Sequence, residues 1–331
     1  MKISILGAGS FGLSLSVALN YNGHDVTIWS INHSDAENLK KTRTDARYLK
    51  DVVLPEEINF TSSKEEATKG MDIIVIAIPS KFVRENLIWL KDYIEDTQIL
   101  VNVAKGFDEK KDKRLSEVID ELLPNIKYAV LSGPSHAEEI SKKMTTTLVV
   151  ASNDLKTREL VQNNFSNDFL RLYTSDDIIG VELGGALKNV IAIGVGILEG
   201  AGLGDNAKAA MMTRGNAEIT KLGVKMGASV HTFSGLTGMG DLIVTCSSMH
   251  SRNRRAGIML GEGKKLKEIL PEIGMVVEGV SSAKSADNLG KKYNVETPIL
   301  SAVYDIIFNE KDAKDVLVEL MNRSKKDEFI V

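Results

Sequence analysis

The chain has 331 residues, of which 43% are hydrophobic and 26% are charged, and its formal net charge is -4. This composition is ordinary for a soluble globular protein with room for two domains, and it excludes a disordered or fibrous chain. The charge gives no reason to expect nucleic acid or an anionic membrane as a partner, so any anion site must be local.

Cys246 is the single cysteine, which excludes a disulfide within the chain and a cysteine-based zinc cluster, and we expect no metal site. The sequence begins with a strand-like segment and shows no signal-peptide pattern. Its apolar runs at residues 73–79 and 190–198 are shorter than the ~20 residues that cross a bilayer. We therefore expect a cytoplasmic protein.

The first predicted strand, residues 2–6, leads directly into the turn Gly7-Ala8-Gly9-Ser10-Phe11-Gly12 and a helix at residues 13–21. Gly7 permits a tight turn, Gly9 lets the backbone approach a pyrophosphate, and Gly12 lets helix and strand pack closely. The helix N-terminus offers N–H groups to the phosphates. This order of elements predicts a dinucleotide-binding site.

The second predicted strand, residues 25–29, ends in Ser30-Ile31-Asn32, where an NAD-selective site has a carboxylate. No carboxylate at this tip repels a 2′-phosphate. Basic side chains follow downstream and either favour such a phosphate or form a solvated helix face; they are His33, Lys40, Lys41 and Arg43. The pattern leans toward NADPH and leaves NADH open.

Further apolar runs predict a buried, doubly wound α/β sheet of the Rossmann type, with strands at residues 72–78, 98–103, 128–131, 146–151 and 169–173. Open α/β sheets bind ligands at the carboxyl ends of their strands. Ser80, Lys105 and the segment 132–136 follow such ends, although Lys105 also fits an exposed loop. We place this domain at residues 1–176 and an all-α domain at residues 177–331.

Residues 180–198 are apolar on nearly every face, which predicts a buried helix at the centre of the molecule. Four internal glycines make this helix about 4 kcal/mol less favourable than one with alanines; they are Gly184, Gly185, Gly194 and Gly196. Lys188 lies on a face of this helix that is otherwise formed by small and apolar residues. It is either a proton-exchanging lysine drawn partly out of water or a lysine whose amine reaches the surface.

The second half of the chain is predicted to be helical, with helices at residues 206–226, 295–308 and 313–321. A glycine-punctuated segment at residues 235–246 holds Asp241 and indicates a ligand-contacting loop that leads into a helix. Residues 251–255 combine serine, asparagine and three arginines before a helix at residues 256–260. This cluster suits a phosphate dianion, or it is a solvated face.

Together these stretches resemble the bacterial NAD(P)-dependent sn-glycerol-3-phosphate dehydrogenases over essentially the whole chain. Besides the Gly7–Gly12 turn, the motifs that carry the resemblance are Ala104-Lys105-Gly106, Ser132-Gly133-Pro134-Ser135, Gly184-Gly185-Ala186-Leu187-Lys188-Asn189, Gly238-Met239-Gly240-Asp241-Leu242 and Ser251-Arg252-Asn253-Arg254-Arg255. The last three, in this order, are specific to the family.

The resemblance implies reversible reduction of dihydroxyacetone phosphate to sn-glycerol 3-phosphate by NADP(H) or NAD(H), supplying phospholipid synthesis, in a homodimer. Lys188 is then the proton donor and acceptor, and Lys105 contacts both substrate and cofactor. The residues that hold the triose phosphate are Gly133, Ser135, Asn189, Asp241, Ser251, Arg252 and Asn253. Besides the glycine turn, Ser10, Phe11, Ala137, Arg252, Val276 and Glu278 line the cofactor.

Three positions depart from the family pattern. His136 stands where an aromatic residue is usual, and Ala104 where threonine is common. Ser30 and Ile31 stand where a basic residue or a histidine often helps to select NADPH, which leaves the cofactor preference open.

As a mechanism we expect hydride transfer from the nicotinamide to C2, a proton from Lys188, polarisation of the carbonyl by Lys105 and orientation of the lysine by Asp241. Two alternatives remain at this point. One is a reductase of a hydroxy acid or an imine, whose substrates lack the phosphate that the 251–255 cluster suits. The other is a non-catalytic nucleotide sensor, which needs neither Lys188 nor Asp241.

Overall fold

The computed structural model describes residues 1–325, 327 and 328. The chain divides into two compact units. The first comprises Met1–Asp108 and Lys113–Val181, and the second comprises Glu109–Asp112 and the chain from Glu182 onward. Each unit is described by itself.

The first unit is built on an eight-stranded sheet with the strand order β10-β9-β8-β5-β4-β1-β2-β3. Six neighbouring strands are parallel, and β9 pairs antiparallel with β8, so that β9 and β10 run in the opposite direction. Two short strands, β6 and β7, form a separate hairpin. The strands are β1 (Lys2–Leu6), β2 (Asp25–Trp29), β3 (Asn59–Thr61), β4 (Ile73–Ile76), β5 (Ile99–Asn102), β6 (Phe107–Asp108), β7 (Lys113–Arg114), β8 (Lys127–Ser132), β9 (Thr146–Ala151) and β10 (Leu170–Ser175).

Both faces of this sheet are buried, which explains why its central strands are continuous apolar runs rather than alternating ones. Ile3 and Ile5 of β1 lie in one core cluster, and Leu6 of the same strand lies in another. All seven predicted strands are present. The short edge strand β3 and the hairpin were not predicted, because two or three residues give too little periodicity to recognise.

Six α-helices lie entirely within the first unit: α1 (Ser10–Tyr21), α2 (His33–Thr42), α3 (Val83–Leu90), α4 (Leu115–Leu122), α5 (Ala137–Ser141) and α6 (Leu155–Phe165). Helix α1 begins at Ser10, inside the glycine-rich turn and three residues earlier than predicted. Helix α6 begins where Asp154 accepts a hydrogen bond from the N–H of Thr157 at 3.0 Å, an ordinary side-chain cap.

The described residues of the second unit form helices and no strands, which confirms the predicted helical half. They are the continuation of α7 (Ile178–Gly200), then α8 (Asp205–Lys225), α9 (Asp241–Ser247), α10 (Arg252–Gly261), α11 (Leu266–Ile273), α12 (Glu278–Lys292), α13 (Pro298–Phe308) and α14 (Ala313–Met321). Helix α10 starts within the basic cluster, four residues earlier than predicted. Helices α11 and α12 were missed, and α12 begins at Glu278.

Helix α7 is the core helix of the second unit. Asp177 caps its start by accepting a hydrogen bond from the N–H of Gly180 at 2.9 Å. Among the described residues it is the one helix long and apolar enough to cross a membrane, but 94% of its most apolar stretch is buried within the protein. The helix has 23 residues and is therefore longer than the apolar run that the sequence shows at residues 190–198. Its burial identifies it as a core element.

The glycines of α7 allow other backbone segments to approach it closely. A Cβ on Gly184 would lie 2.7 Å from the carbonyl oxygen of Thr237, and one on Gly196 would overlap the carbonyl oxygen of Arg254 on α10. Both are shorter than van der Waals contact, so only glycine fits. Close packing of buried backbone therefore offsets the poor intrinsic helix propensity of these residues.

Candidate active site

The glycine-rich turn has the geometry that its sequence predicts. Gly7 has a φ of 125°, a value that residues with a side chain rarely adopt, and its N–H bonds to the carbonyl of Trp29 at 3.0 Å. A Cβ on Gly12 would overlap the carbonyl of Gly7, so β1 and α1 meet as closely as a dinucleotide fold requires. Gly9 has no atom within 4 Å of its virtual Cβ, so this side of the turn is open.

The N-terminus of α1 suits a pyrophosphate. Gly9 is the N-cap and supplies no side-chain acceptor, and the first turn, which begins with Ser10 and Phe11, contains no acidic residue. The unpaired N–H groups and the positive end of the helix dipole therefore favour an anion at this turn. These residues fit the diphosphate of a nicotinamide dinucleotide.

The two predicted cofactor residues at the tip of β2 differ in their exposure to solvent. Ser30 is buried, and its N–H bonds to the carbonyl of Thr61 at 2.9 Å, which ties β2 to β3. The side chain of Ile31 is 75% exposed. At Ile31, one of the two positions that depart from the family pattern, the structure therefore has an apolar side chain that faces solvent.

Lys105, Gly133 and Ser135 lie together at the carboxyl ends of β5 and β8, as predicted. The Nζ of Lys105 donates to the carbonyl of Gly133 at 2.9 Å and to Oγ of Ser135 at 3.3 Å. Ser135 also donates to Gly133 at 2.8 Å. Asn102 shapes the turn before Lys105 through hydrogen bonds from and to the backbone of Ala104. The lysine is thus fixed among polar groups rather than exposed in a loop.

The amine of Lys188 is buried, which excludes the alternative of a lysine that reaches the surface. Its Nζ donates to Oδ1 of Asp241 at 2.7 Å and to Oγ1 of Thr245 at 2.5 Å. Lys188, Asp241 and Thr245 are 6%, 1% and 5% exposed. Thr245 was not predicted, although its spacing of four residues from Asp241 places both on one face of α9.

Cys246 follows this cluster on α9 and is also buried. Burial raises the pKa of its thiol to about 12, so the thiol stays protonated and neutral near neutral pH. Lys188 and Asp241 form the ion pair beside it.

Asn189 and Asn253 join three helices of the second unit. The Nδ2 of Asn253 donates to Oδ1 of Asn189 at 2.9 Å, and Oδ1 of Asn253 accepts from the N–H of Gly279 at 2.8 Å. Both asparagines are buried. They link α7 and α10 to the start of α12, where Val276 precedes the helix and Glu278 is its first residue.

The residues of the basic cluster at 251–255 have different roles in the structure. Ser251 is the N-cap of α10 and accepts from the N–H of Arg254 at 3.2 Å, and Arg252 is the first residue of the helix. Arg254 pairs with both carboxylate oxygens of Glu199, at 2.9 and 2.7 Å. This arginine therefore joins α10 to α7.

In the first unit, Ala137 is the buried first residue of α5.

Residues 2–158 match the family model described as the NAD-dependent glycerol-3-phosphate dehydrogenase N-terminus, and residues 177–318 match the corresponding C-terminus model. The chain belongs to the NAD-dependent glycerol-3-phosphate dehydrogenase family. It is therefore an NAD(P)-dependent oxidoreductase, as its sequence motifs indicated, and this membership argues against the non-catalytic sensor.

Curated members of the glycerol-3-phosphate dehydrogenase family match the chain over its full length. The enzyme of Fusobacterium nucleatum is 52% identical over 331 residues, covering 99% of each chain, and that of Thermoanaerobacter is 51% identical over 329 residues, also covering 99% of each. The crystal structure of the enzyme from Coxiella burnetii superposes with a TM-score of 0.94 at 34% identity, covering 97% of this chain and 99% of that one.

Proposed function

We propose that Lys188 is the proton donor and acceptor as this enzyme interconverts dihydroxyacetone phosphate and sn-glycerol 3-phosphate. The buried cluster of Lys188, Asp241 and Thr245 carries this proposal. Reduction of a carbonyl at C2 creates an alkoxide that must gain a proton, and a positioned amine contributes a factor of about 10² to 10⁴ in such a step. Asp241 and Thr245 hold that amine in one orientation.

Lys105 polarises the carbonyl oxygen of the substrate. Its amine is fixed by the carbonyl of Gly133 and the hydroxyl of Ser135, so its positive charge occupies a defined position. A fixed cation that faces a developing negative charge stabilises the transition state without rearrangement during the reaction.

The start of α10 binds the phosphate of the substrate. Ser251 ends the preceding loop there, and Arg252 and Asn253 occupy the first turn. The helix dipole, the backbone N–H groups and the guanidinium all favour a dianion. Holding the phosphate orients the carbonyl, which lowers the barrier by several kcal/mol, up to roughly 7.

The α1 turn binds the pyrophosphate of NAD(H) or NADP(H). Ser10, Phe11, Ala137, Arg252, Val276 and Glu278 line the remainder of the cofactor. When bound, the nicotinamide supplies the hydride that reduces C2. The enzyme acts in the cytoplasm as a homodimer and supplies glycerol 3-phosphate for phospholipid synthesis.

The test is to mix the protein with dihydroxyacetone phosphate and either NADPH or NADH and to follow the absorbance of the reduced nicotinamide. We expect turnover that Lys188→Ala lowers about 10² to 10⁴-fold, because the general acid is removed. Lys225→Ala, at an exposed lysine of α8, is the matched control and keeps full activity.

Two results would contradict the assignment. A folded Lys188→Ala variant with near-normal turnover rejects the proton donor. Equal efficiency with dihydroxyacetone, which lacks the phosphate, rejects the phosphate site at α10 and favours a reductase of unphosphorylated substrates.

A further inference from the structure

Arg47 lies in the loop after α2 and is held beside the tip of β2. Its Nη2 donates to Oδ1 of Asp35 at 3.2 Å, and Asp35 is in the first turn of α2. The other oxygen of Asp35 accepts from Nδ2 of Asn32 at 3.2 Å, and the N–H of Asn32 bonds to Oγ of Ser30 at 3.4 Å. Three hydrogen bonds therefore connect the guanidinium to the residue that follows β2.

The tip of β2 is the point where dinucleotide folds recognise the adenosine ribose, through a carboxylate for a 2′-hydroxyl or an arginine for a 2′-phosphate. Ser30 and Ile31 offer neither group. Arg47 lies beyond α2 in the sequence, but the fold places its guanidinium near this position.

The geometry of Arg47 leaves donors available for an anion. Nε and Nη2 bond to Asp45 at 3.4 and 3.0 Å, whereas Nη1 makes no hydrogen bond to any described residue. The side chain is 57% exposed, but that of Asp45 is 4% exposed and that of Asp35 is 28% exposed. The two carboxylates orient the guanidinium from the protein side, and Asp35 is itself compensated by the helix dipole.

The basic residues nearer in sequence point elsewhere. The Nδ1 of His33 lies 3.0 Å from Oγ of Ser62, and Nη1 of Arg43 donates to the carbonyl of Ile58 at 2.6 Å. Lys40 and Lys41 are in the last turn of α2, roughly 10 Å along the axis from its start. Lys40, Lys41 and Arg43 lie at the other end of α2, and His33, although it is the first residue of the helix, is engaged with Ser62.

We propose that Arg47 binds the 2′-phosphate of NADPH and thereby makes this enzyme bind NADPH more tightly than NADH. The inference rests on the proposed dinucleotide site at the α1 turn. Guanidinium and phosphate form a charge-assisted hydrogen bond, and the N-terminus of α2 adds a favourable dipole.

The experiment measures dissociation constants of the full chain for NADPH and NADH, and for the fragments 2′,5′-ADP and AMP, by calorimetry without substrate. Arg47→Gln should weaken NADPH and 2′,5′-ADP about 10- to 100-fold and leave NADH and AMP unchanged. Arg47→Lys should retain part of the preference, because the ammonium keeps the charge but loses the planar fork. Lys50→Gln, which removes one positive charge from an exposed position of the same loop, is the control.

Equal weakening of all four ligands by Arg47→Gln, or of none, overturns the role of Arg47, as does a wild-type protein that binds AMP as tightly as 2′,5′-ADP. The binding measurement also separates this inference from the proposed function. If NADPH binds with the expected dependence on Arg47 but dihydroxyacetone phosphate is not reduced, the catalytic proposal fails and the cofactor inference stands.

Discussion

The Nζ of Lys188 and Oδ1 of Asp241 are 2.7 Å apart, although 53 residues separate them in the sequence. Both side chains are almost fully buried. Either charge alone would be costly in such a place, because it would be removed from water without a partner.

Removing one member of this pair should therefore destabilise the protein more than removing both. We expect Asp241→Leu to lower the free energy of unfolding by about 3–5 kcal/mol, because the ammonium stays buried without its partner. The double variant with Lys188→Met should recover most of that loss while remaining inactive. Denaturant unfolding of the single and double variants measures the coupling, and strictly additive losses would argue against the pair.

Thr245 should act on catalysis by positioning Lys188. Its hydroxyl accepts a hydrogen bond from the amine at 2.5 Å, so Thr245→Val keeps the volume but removes the acceptor. We expect kcat to fall about 10-fold or more with little change in KM, since one hydrogen bond to a charged group contributes about 1.5–3 kcal/mol. Thr245→Ser keeps the hydroxyl and should restore most of kcat. Equal rates for the valine and serine variants would show that the hydroxyl has no such role.

Glu218 should make stability depend on pH. Its carboxylate accepts hydrogen bonds from the N–H groups of Ile299 and Leu300 at the start of α13. Burial nevertheless raises the pKa of Glu218 from 4.5 to about 7, because desolvation outweighs those two bonds. The folded protein thus holds this proton more tightly than the unfolded chain does. Its contribution to stability is fully present below pH 4.5 and is lost as the pH rises through about 7.

Glu218→Gln keeps a neutral acceptor at this position and should remove that part of the pH dependence. The variant should be more stable than the wild type at about pH 8, by at most about 3 kcal/mol, and similar to it at about pH 5. Melting temperatures across this range provide the measurement. A parallel pH profile for the two proteins would contradict the prediction.

Gly196 should not tolerate even alanine. A Cβ at this position overlaps the carbonyl oxygen of Arg254 and lies 2.8 Å from the backbone nitrogen of Ile258. Because backbone atoms of α10 cannot move aside as a side chain end can, Gly196→Ala should lower stability by about 1–3 kcal/mol. Gly204→Ala is the control, since no atom lies within 4 Å of its virtual Cβ. Similar melting temperatures for both variants would show that α7 and α10 can separate without loss.

Local sequence determined much of this protein. The strand, glycine turn and helix at residues 2–21, the apolar strands and the long helix α7 follow from periodicity and glycine spacing, which depend on neighbours in the chain. The family motifs led to a membership that the family models and curated relatives confirm. The catalytic, substrate and cofactor roles of individual residues remain predictions.

Tertiary structure decided which side chains meet. Thr245 joins Lys188, Arg254 pairs with Glu199 rather than standing in a uniform basic cluster, and Arg47 reaches the tip of β2 through Asp35. No periodicity encodes these contacts, because residues far apart in sequence are brought together by the packing of whole helices and strands. Tertiary packing also decided where the amine of Lys188 lies. A lysine on an apolar helix face can either extend its amine to water or keep it buried, and the elements packed around it determine which of the two occurs.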